Sequence, residues 1–156
     1  MGLLRSLVSS RRGSIHLDGL RELFELGDAV DVTATLTAKQ DLGPGRYFAS
    51  LVCFEEIRSV RISRAYWLDH RFLRFELWRT EVELANNEVF SAGTEDTRNV
   101  VLQLPFEMPE WAPGADGAFS ALRDRQRRFA WEVGVHLDLR RSVLERRRPI
   151  SVIGAE

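Results

Sequence analysis

The chain has little of what covalent or metal-stapled folds need. Its 156 residues include one cysteine, Cys53, so no intramolecular disulfide framework and no thiolate-rich zinc site can form. No apolar run approaches the roughly 18 residues that would span a bilayer, and residues 1–8 are too short and interrupted for a signal-peptide core. A cytoplasmic location is the expectation. An excess of charge is also missing: 22 basic against 23 acidic side chains leave a formal charge of -1, which gives no whole-molecule attraction to nucleic acid or to an anionic membrane. Lysine is nearly absent, with Lys39 alone among those 22 basic residues, a bias typical of a GC-rich bacterial gene. Residues 1–6 match the loose myristoylation pattern at Gly2 and Ser6, which also occurs by chance.

What the chain does have is ordinary globular composition, 44% apolar and 29% charged, at a length suited to one core. Its clearest pattern lies at residues 129–139. Phe129, Trp131, Val133, Val135, Leu137 and Leu139 alternate there with Ala130, Glu132, Gly134, His136 and Asp138. Period two describes a strand with one face in a core and one toward water, whereas on a helix these apolar residues would scatter around the circumference. The same alternation runs through Val100, Leu102, Leu104 and Phe106, and through Val30, Val32, Ala34, Leu36 and Ala38.

Residues 47–57 are apolar on both sides, with Phe48, Val52 and Phe54 on one and Leu51 and Cys53 on the other, which predicts a central strand. Over residues 72–84 the apolar phase switches from Leu73, Phe75 and Leu77 to Trp78, Val82 and Leu84. An extra residue in a strand turns every later side chain to the opposite face, so a bulge is expected near Leu77 and Trp78. Shorter strands are expected at 14–20, 60–66 and 149–153, and one helical turn within 119–128. Turn residues punctuate the connections at Gly27-Asp28, Gly43-Pro44-Gly45, Asn86-Asn87, Gly93 and 113–117, and the Gly-Pro-Gly is read as a hairpin turn.

Seven to nine short strands with almost no helix predict an all-β, antiparallel, immunoglobulin-like sandwich occupying 14–153, after an N-terminal extension at 1–13. Its inner faces should include Val32, Leu36, Val52, Phe54, Phe75, Leu102, Leu104, Trp131, Val133 and Val135.

Signals of chemistry are weak. There is no G-x-S-x-G elbow, Cys53 lies in an apolar strand, and Gly43-Pro44-Gly45 lacks the Lys-Ser/Thr pair and following helix of a phosphate loop. Carboxylate pairs such as Glu55-Glu56 and Glu81-Glu83 are read as solvated surface. Asp69 and His70 are adjacent, so on a strand they point apart.

His136 shares a face with Glu132 and Asp138, a set that could orient an imidazole or hold a metal in a small-ligand or hydrolase cleft. The same spacing describes the water-facing side of an amphipathic strand, and that is the expectation. No catalytic, metal or cofactor residue is therefore assigned. Residues 120–150 hold nine arginines against four carboxylates. Within them Arg123, Arg125, Arg127 and Arg128 are candidates for binding an acidic peptide or anionic headgroup, since the guanidinium fork suits carboxylate and phosphate. The alternative is solvated strand ends that blunt edge pairing. Aromatics are not interleaved among these arginines, which argues against nucleic acid.

Three stretches carry a family resemblance. Residues 26–32, Leu-Gly-Asp-Ala-Val-Asp-Val, resemble the early Pro-Gly-acid-x-Val-x-Val turn and strand of arrestin-type lobes, with Leu26 in place of the proline. Residues 102–109, Leu-Gln-Leu-Pro-Phe-Glu-Met-Pro, resemble the strand that opens that family's long connection. Residues 128–138 and 148–152 resemble its aromatic-x-Val-x-Val-x-Leu strand and its closing basic-then-apolar strand. Relatives include retromer-associated adaptors and bacterial sporulation-control proteins. The family commonly has two lobes, and this chain has length for one. The resemblance implies a non-enzymatic adaptor that binds another protein or peptide or a second copy of itself, with no nucleic acid, no cofactor and no transmembrane segment.

Overall fold

The computed structural model describes residues 11–62, 68–109 and 127–154, with side chains at 57–62, 68–73 and 127 left aside. Eight strands follow in order: β1 Gly13–Asp18, β2 Leu23–Glu25, β3 Ala29–Ala38, β4 Leu42–Ile62, β5 Leu68–Phe90, β6 Glu95–Gln103, β7 Arg127–Leu139 and β8 Ser142–Ile153. They form two sheets, β1-β3-β6 and β2-β8-β7-β4-β5. The pairings are antiparallel except β2, which runs parallel to β8 at the sheet edge. The chain is thus the expected all-β sandwich.

Alternation builds the core. In β3, Val30, Val32, Ala34, Leu36 and Ala38 are buried on one face, and in β6 Val100 and Leu102 join them. The opposing sheet contributes Tyr47, Ala49, Leu51 and Cys53 from β4 and Trp131, Val133, Val135 and Leu137 from β7, in a register that sets Leu51 beside Val133 and Cys53 beside Trp131. Arg98 ties the two sheets at one side, donating from β6 to the Leu84 carbonyl and to Glu88 of β5. Gly45 lies just before the first β4-β7 pair, Arg46 with Asp138, where any side chain would strike the Asp138 carbonyl oxygen.

Several expectations need correction. Val52 and Phe54 do not face the core: they sit in register with Glu132 and Ala130, on the outer side, while Leu51 and Cys53 point inward. Both faces of β4 are apolar, so periodicity alone could not choose the inner one. Phe75 shares the inner side but is 38% exposed, because it lies on the last strand of the sheet. The Gly43-Pro44-Gly45 stretch is not the hairpin turn. It opens β4 itself, with register shifts around Gly45, and the turn falls just before it at Lys39–Asp41. Asn87 takes a positive φ of 57° inside β5 rather than in a loop.

The phase switch in β5 is a bulge. Trp78 pairs with Cys53 and Glu76 with Phe54, leaving Leu77 as the extra residue. The strand expected at 60–66 is the end of β4 as far as Ile62, and its remainder lies outside the described residues, as do Gly2 and most of the helical turn expected at 119–128. Arg127 and Arg128, placed at the end of that turn, open β7 instead.

Trp131 is 3% exposed and tilts against Trp78 at 5.9 Å between ring centroids. Truncating a core aromatic removes its transfer energy and leaves a cavity, so Trp131→Ala should lower stability by about 3–5 kcal/mol in urea or guanidinium unfolding. A loss under about 0.5 kcal/mol would contradict this core assignment.

Candidate functional site

Among the described residues, the outer face of the five-stranded sheet carries a dense set of polar side chains. Register lays them in rows across β5, β4, β7 and β8: Glu83-Phe48-His136-Glu145, then Glu81-Ser50-Gly134-Arg147, then Arg79-Val52-Glu132-Pro149. The middle columns are mostly apolar or small, and the flanks supply charge. Long flanking side chains close over the middle. The Arg46 guanidinium lies 4.2 Å above the Phe48 ring centre and that of Arg74 lies 4.3 Å above Phe54.

Nearly every charge in this roof has a partner. Arg46 meets Glu81 at 2.8 Å, Arg79 meets Glu76 at 2.8 Å and Glu81 at 3.0 Å, and Arg147 meets Glu145 at 3.2 Å. Arg74 bridges Glu56 and Glu132, and Arg128 holds the other oxygen of Glu56 at 2.6 Å. The two guanidiniums beside Glu81 hold its carboxyl below the usual range, with the Arg46 hydrogen bond the larger cause.

His136 sits beneath the roof, buried and stacked on Phe48 at 4.9 Å between ring centres. Its Nδ1 lies 3.2 Å from Glu145 Oε2 and its Nε2 lies 2.9 Å from Ser50 Oγ. An ionised carboxylate only accepts, so the neutral ring donates from Nδ1 to Glu145 and accepts at Nε2 from the Ser50 hydroxyl. This is the serine-imidazole-carboxylate order of an activated nucleophile. The surroundings do not complete it. Ser50 is 2% exposed, β4 is paired on both sides so that its backbone N–H groups serve the ladders, and the cavity beside Ser50 and His136 is about 20 Å³. That is room for about one water.

The residues singled out in the sequence fare differently. Glu132 shares the face with His136, yet its carboxylate is taken by Arg74 and lies 4.0 Å from Arg147. Asp138 is exposed and acts on the imidazole only through its charge. Among the described residues no three His, Cys, Asp or Glu side chains are grouped to hold a metal ion. The Cys53 thiol is buried and pushed up to about 12, far from a reactive thiolate. Arg123 and Arg125 lie outside the described residues, and Arg127 is described only as backbone. Arg128 stands 64% exposed at the start of β7 while holding Glu56.

Ser50 and Glu145, the two partners of His136, carry no signal along the sequence, because strand pairing brings them together. Gly134 does carry one: a glycine inside an alternating strand marks close approach. Any Cβ there would lie 2.6 Å from His136 Nε2 and 3.1 Å from Ser50 Oγ.

Fold and face together define a class, an arrestin-like β-sandwich with a closed, charged outer sheet face. The chain is similar to the solved structure of Spo0M, a sporulation control protein from Bacillus subtilis, with a TM-score of 0.57 and 12% identity over 90% of this chain and 49% of that one. It therefore spans about half the length of that structure, and at this identity the likeness is one of fold. No family model and no curated protein matches the chain.

Two outcomes follow from this geometry. Burial lowers the pKa of His136, opposed by Glu145 and aided by Arg147. Its folded-state value thus lies below the unfolded value of roughly 6.5, and as pH falls the unfolded chain takes up the proton first. The stability involved is present above about pH 6.5 and is lost as pH drops below it, levelling off once the folded-state value is passed. Urea unfolding at about pH 7.5 and 5.5 should show this loss in the native chain and a smaller one in His136→Gln. Gly134→Ala, which overpacks the Ser50-His136 contact, should cost about 1–3 kcal/mol in the same assay.

Proposed function

We propose that this chain is a non-enzymatic interaction module of the adaptor type, one that binds another protein or peptide. The observation that carries this reading is the closure of the candidate site, with Ser50 buried beneath paired charges. Both His136 nitrogens, Glu132, Glu145 and Arg79 are occupied by one another or by neighbouring side chains, over a cavity too small for a substrate. Such a face can be read by a partner, while Ser50 is buried and the space beside it holds about one water. The fold likeness to an arrestin-like sandwich supports the same reading.

In this reading residues 14–153 form one sandwich domain and 1–13 an extension. Arginines 123, 125, 127 and 128 are the segment that would hold an acidic partner, and Arg128, which also holds Glu56, is its described member. A cytoplasmic setting suits a buried, unreactive lone thiol, and among the described residues no helix is long and apolar enough to cross a membrane.

Tagged chain should capture a reproducible protein partner from a native lysate. Capture that depends on the arginine segment should weaken as salt rises, because exposed charge contacts are screened. Hydrolysis of an activated ester such as p-nitrophenyl acetate should be the same for the native chain and Ser50→Ala. Turnover that Ser50→Ala abolishes would overturn the non-enzymatic reading.

A further inference from the structure

The 23 residues of β5 form the last strand of the five-stranded sheet, and among the described residues no strand lies on its outer side. Long edges are usually blunted by charge, and β5 carries charge, but in an unusual order. Residues 74–81 read Arg-Phe-Glu-Leu-Trp-Arg-Thr-Glu. Set antiparallel to a second copy of itself about an axis between Leu77 and Trp78, this window places Arg74 opposite the partner's Glu81 and Glu76 opposite the partner's Arg79. Phe75 then meets the partner's Thr80, and Leu77 meets the partner's Trp78. Opposite charge faces opposite charge at all four charged positions.

Such a register needs the bulge. Residues directly opposed across antiparallel strands point to the same face, and in a regular strand two residues three apart point to opposite faces. Leu77 is the extra residue in β5, so Glu76 lies beside Phe54 and Arg79 beside Val52, both on the outer face. Arg74 and Glu81 are on that face also, beside Glu56 and Ser50. Phe75, Trp78 and Thr80 lie beside Glu55, Cys53 and Leu51, on the inner side. The pairs Arg74-Glu81, Phe75-Thr80 and Glu76-Arg79 therefore each share a face, which the same residues without the bulge could not achieve.

We propose that β5 is the seam of a two-fold homodimer, in which residues 74–81 of two copies pair antiparallel and join the two five-stranded sheets into one. The partner is a second copy of this chain, argued from the self-complementary charge order and from what the edge leaves open. Phe75 is 38% exposed, and Leu77 and Trp78 are only partly covered. In the single chain Arg79 closes on Glu76 and Glu81 of its own strand, Arg74 on Glu56 and Glu132, and Glu81 also on Arg46. In the pair these groups meet the other copy as well, so charge sets the register, while backbone ladder bonds and the covering of Phe75, Leu77 and Trp78 supply the attraction.

The 156-residue chain should run in light scattering or sedimentation as a species of twice 17.9 kDa. Glu76→Arg and Arg79→Glu, each alone, set like charges opposite one another and should halve that mass, with thermal melts confirming that each remains folded. Mixing the two variants should restore the doubled mass, because one chain then offers only positive and the other only negative groups at positions 76 and 79. The double variant Glu76→Arg/Arg79→Glu should pair with itself. A native chain that stays single at every concentration reached, a dimer unmoved by either single change, or a mixture that stays monomeric would overturn the proposal. Each of these results leaves the adaptor reading standing, since that reading concerns a different partner.

Discussion

The pairing of β4 with β7 governs where the rest of the chain's side chains go. These two strands lie side by side inside the five-stranded sheet, with Leu51 beside Val133 and Cys53 beside Trp131 facing the second sheet. Once that parity is set, Phe48, Ser50, Val52, Glu132, Gly134 and His136 must face the other way. A shift of one residue would exchange the two sets and bury Glu132 in the core. The two sheets are then held together by ordinary apolar contact, with Arg98 as a polar tie at one side.

The outer face that results is half apolar, which an exposed sheet face rarely tolerates without cover. Here the cover is made of arginine stems whose heads are fixed by glutamates on β5, β7 and β8. Exposed ion pairs are each worth about 0–1 kcal/mol, so the main contribution of the roof is the shielding of Phe48, Val52 and Phe54 from water by hydrocarbon and guanidinium planes. Fixing the heads also fixes His136. Its hydrogen bonds to Ser50 and Glu145 satisfy a buried ring that would otherwise be costly.

Much of the fold was legible in strand alternation, because a side chain's direction in a strand is a local property. The bulge near Leu77 and Trp78 was readable for the same reason: one inserted residue changes the phase of a visible pattern. The inner face of β4 was not, since Val52 and Phe54 are as apolar as Leu51 and Cys53, and only the register with β7 separates them. Strand β2 escaped notice because three residues, Leu23–Glu25, cannot display a period, and its pairing to β8 is entirely long-range. The candidate site shows the same division. His136, Glu132 and Asp138 were visible as neighbours along one strand, but the imidazole's actual partners come from β4 and β8, and no local pattern announces them. Gly134 was the one local clue to that meeting.

Native-state hydrogen exchange tests the β4-β7 spine most directly. Both strands are paired on each side and covered on each face, so amides at 47–55 and 131–137 should exchange last, and only through global unfolding. Amides of β1 and β6, at the edges of the smaller sheet, should exchange earlier. If the 47–55 and 131–137 amides exchanged as early as those of β6, the placement of these strands at the centre of the sheet, and the closed outer face built upon it, would be wrong.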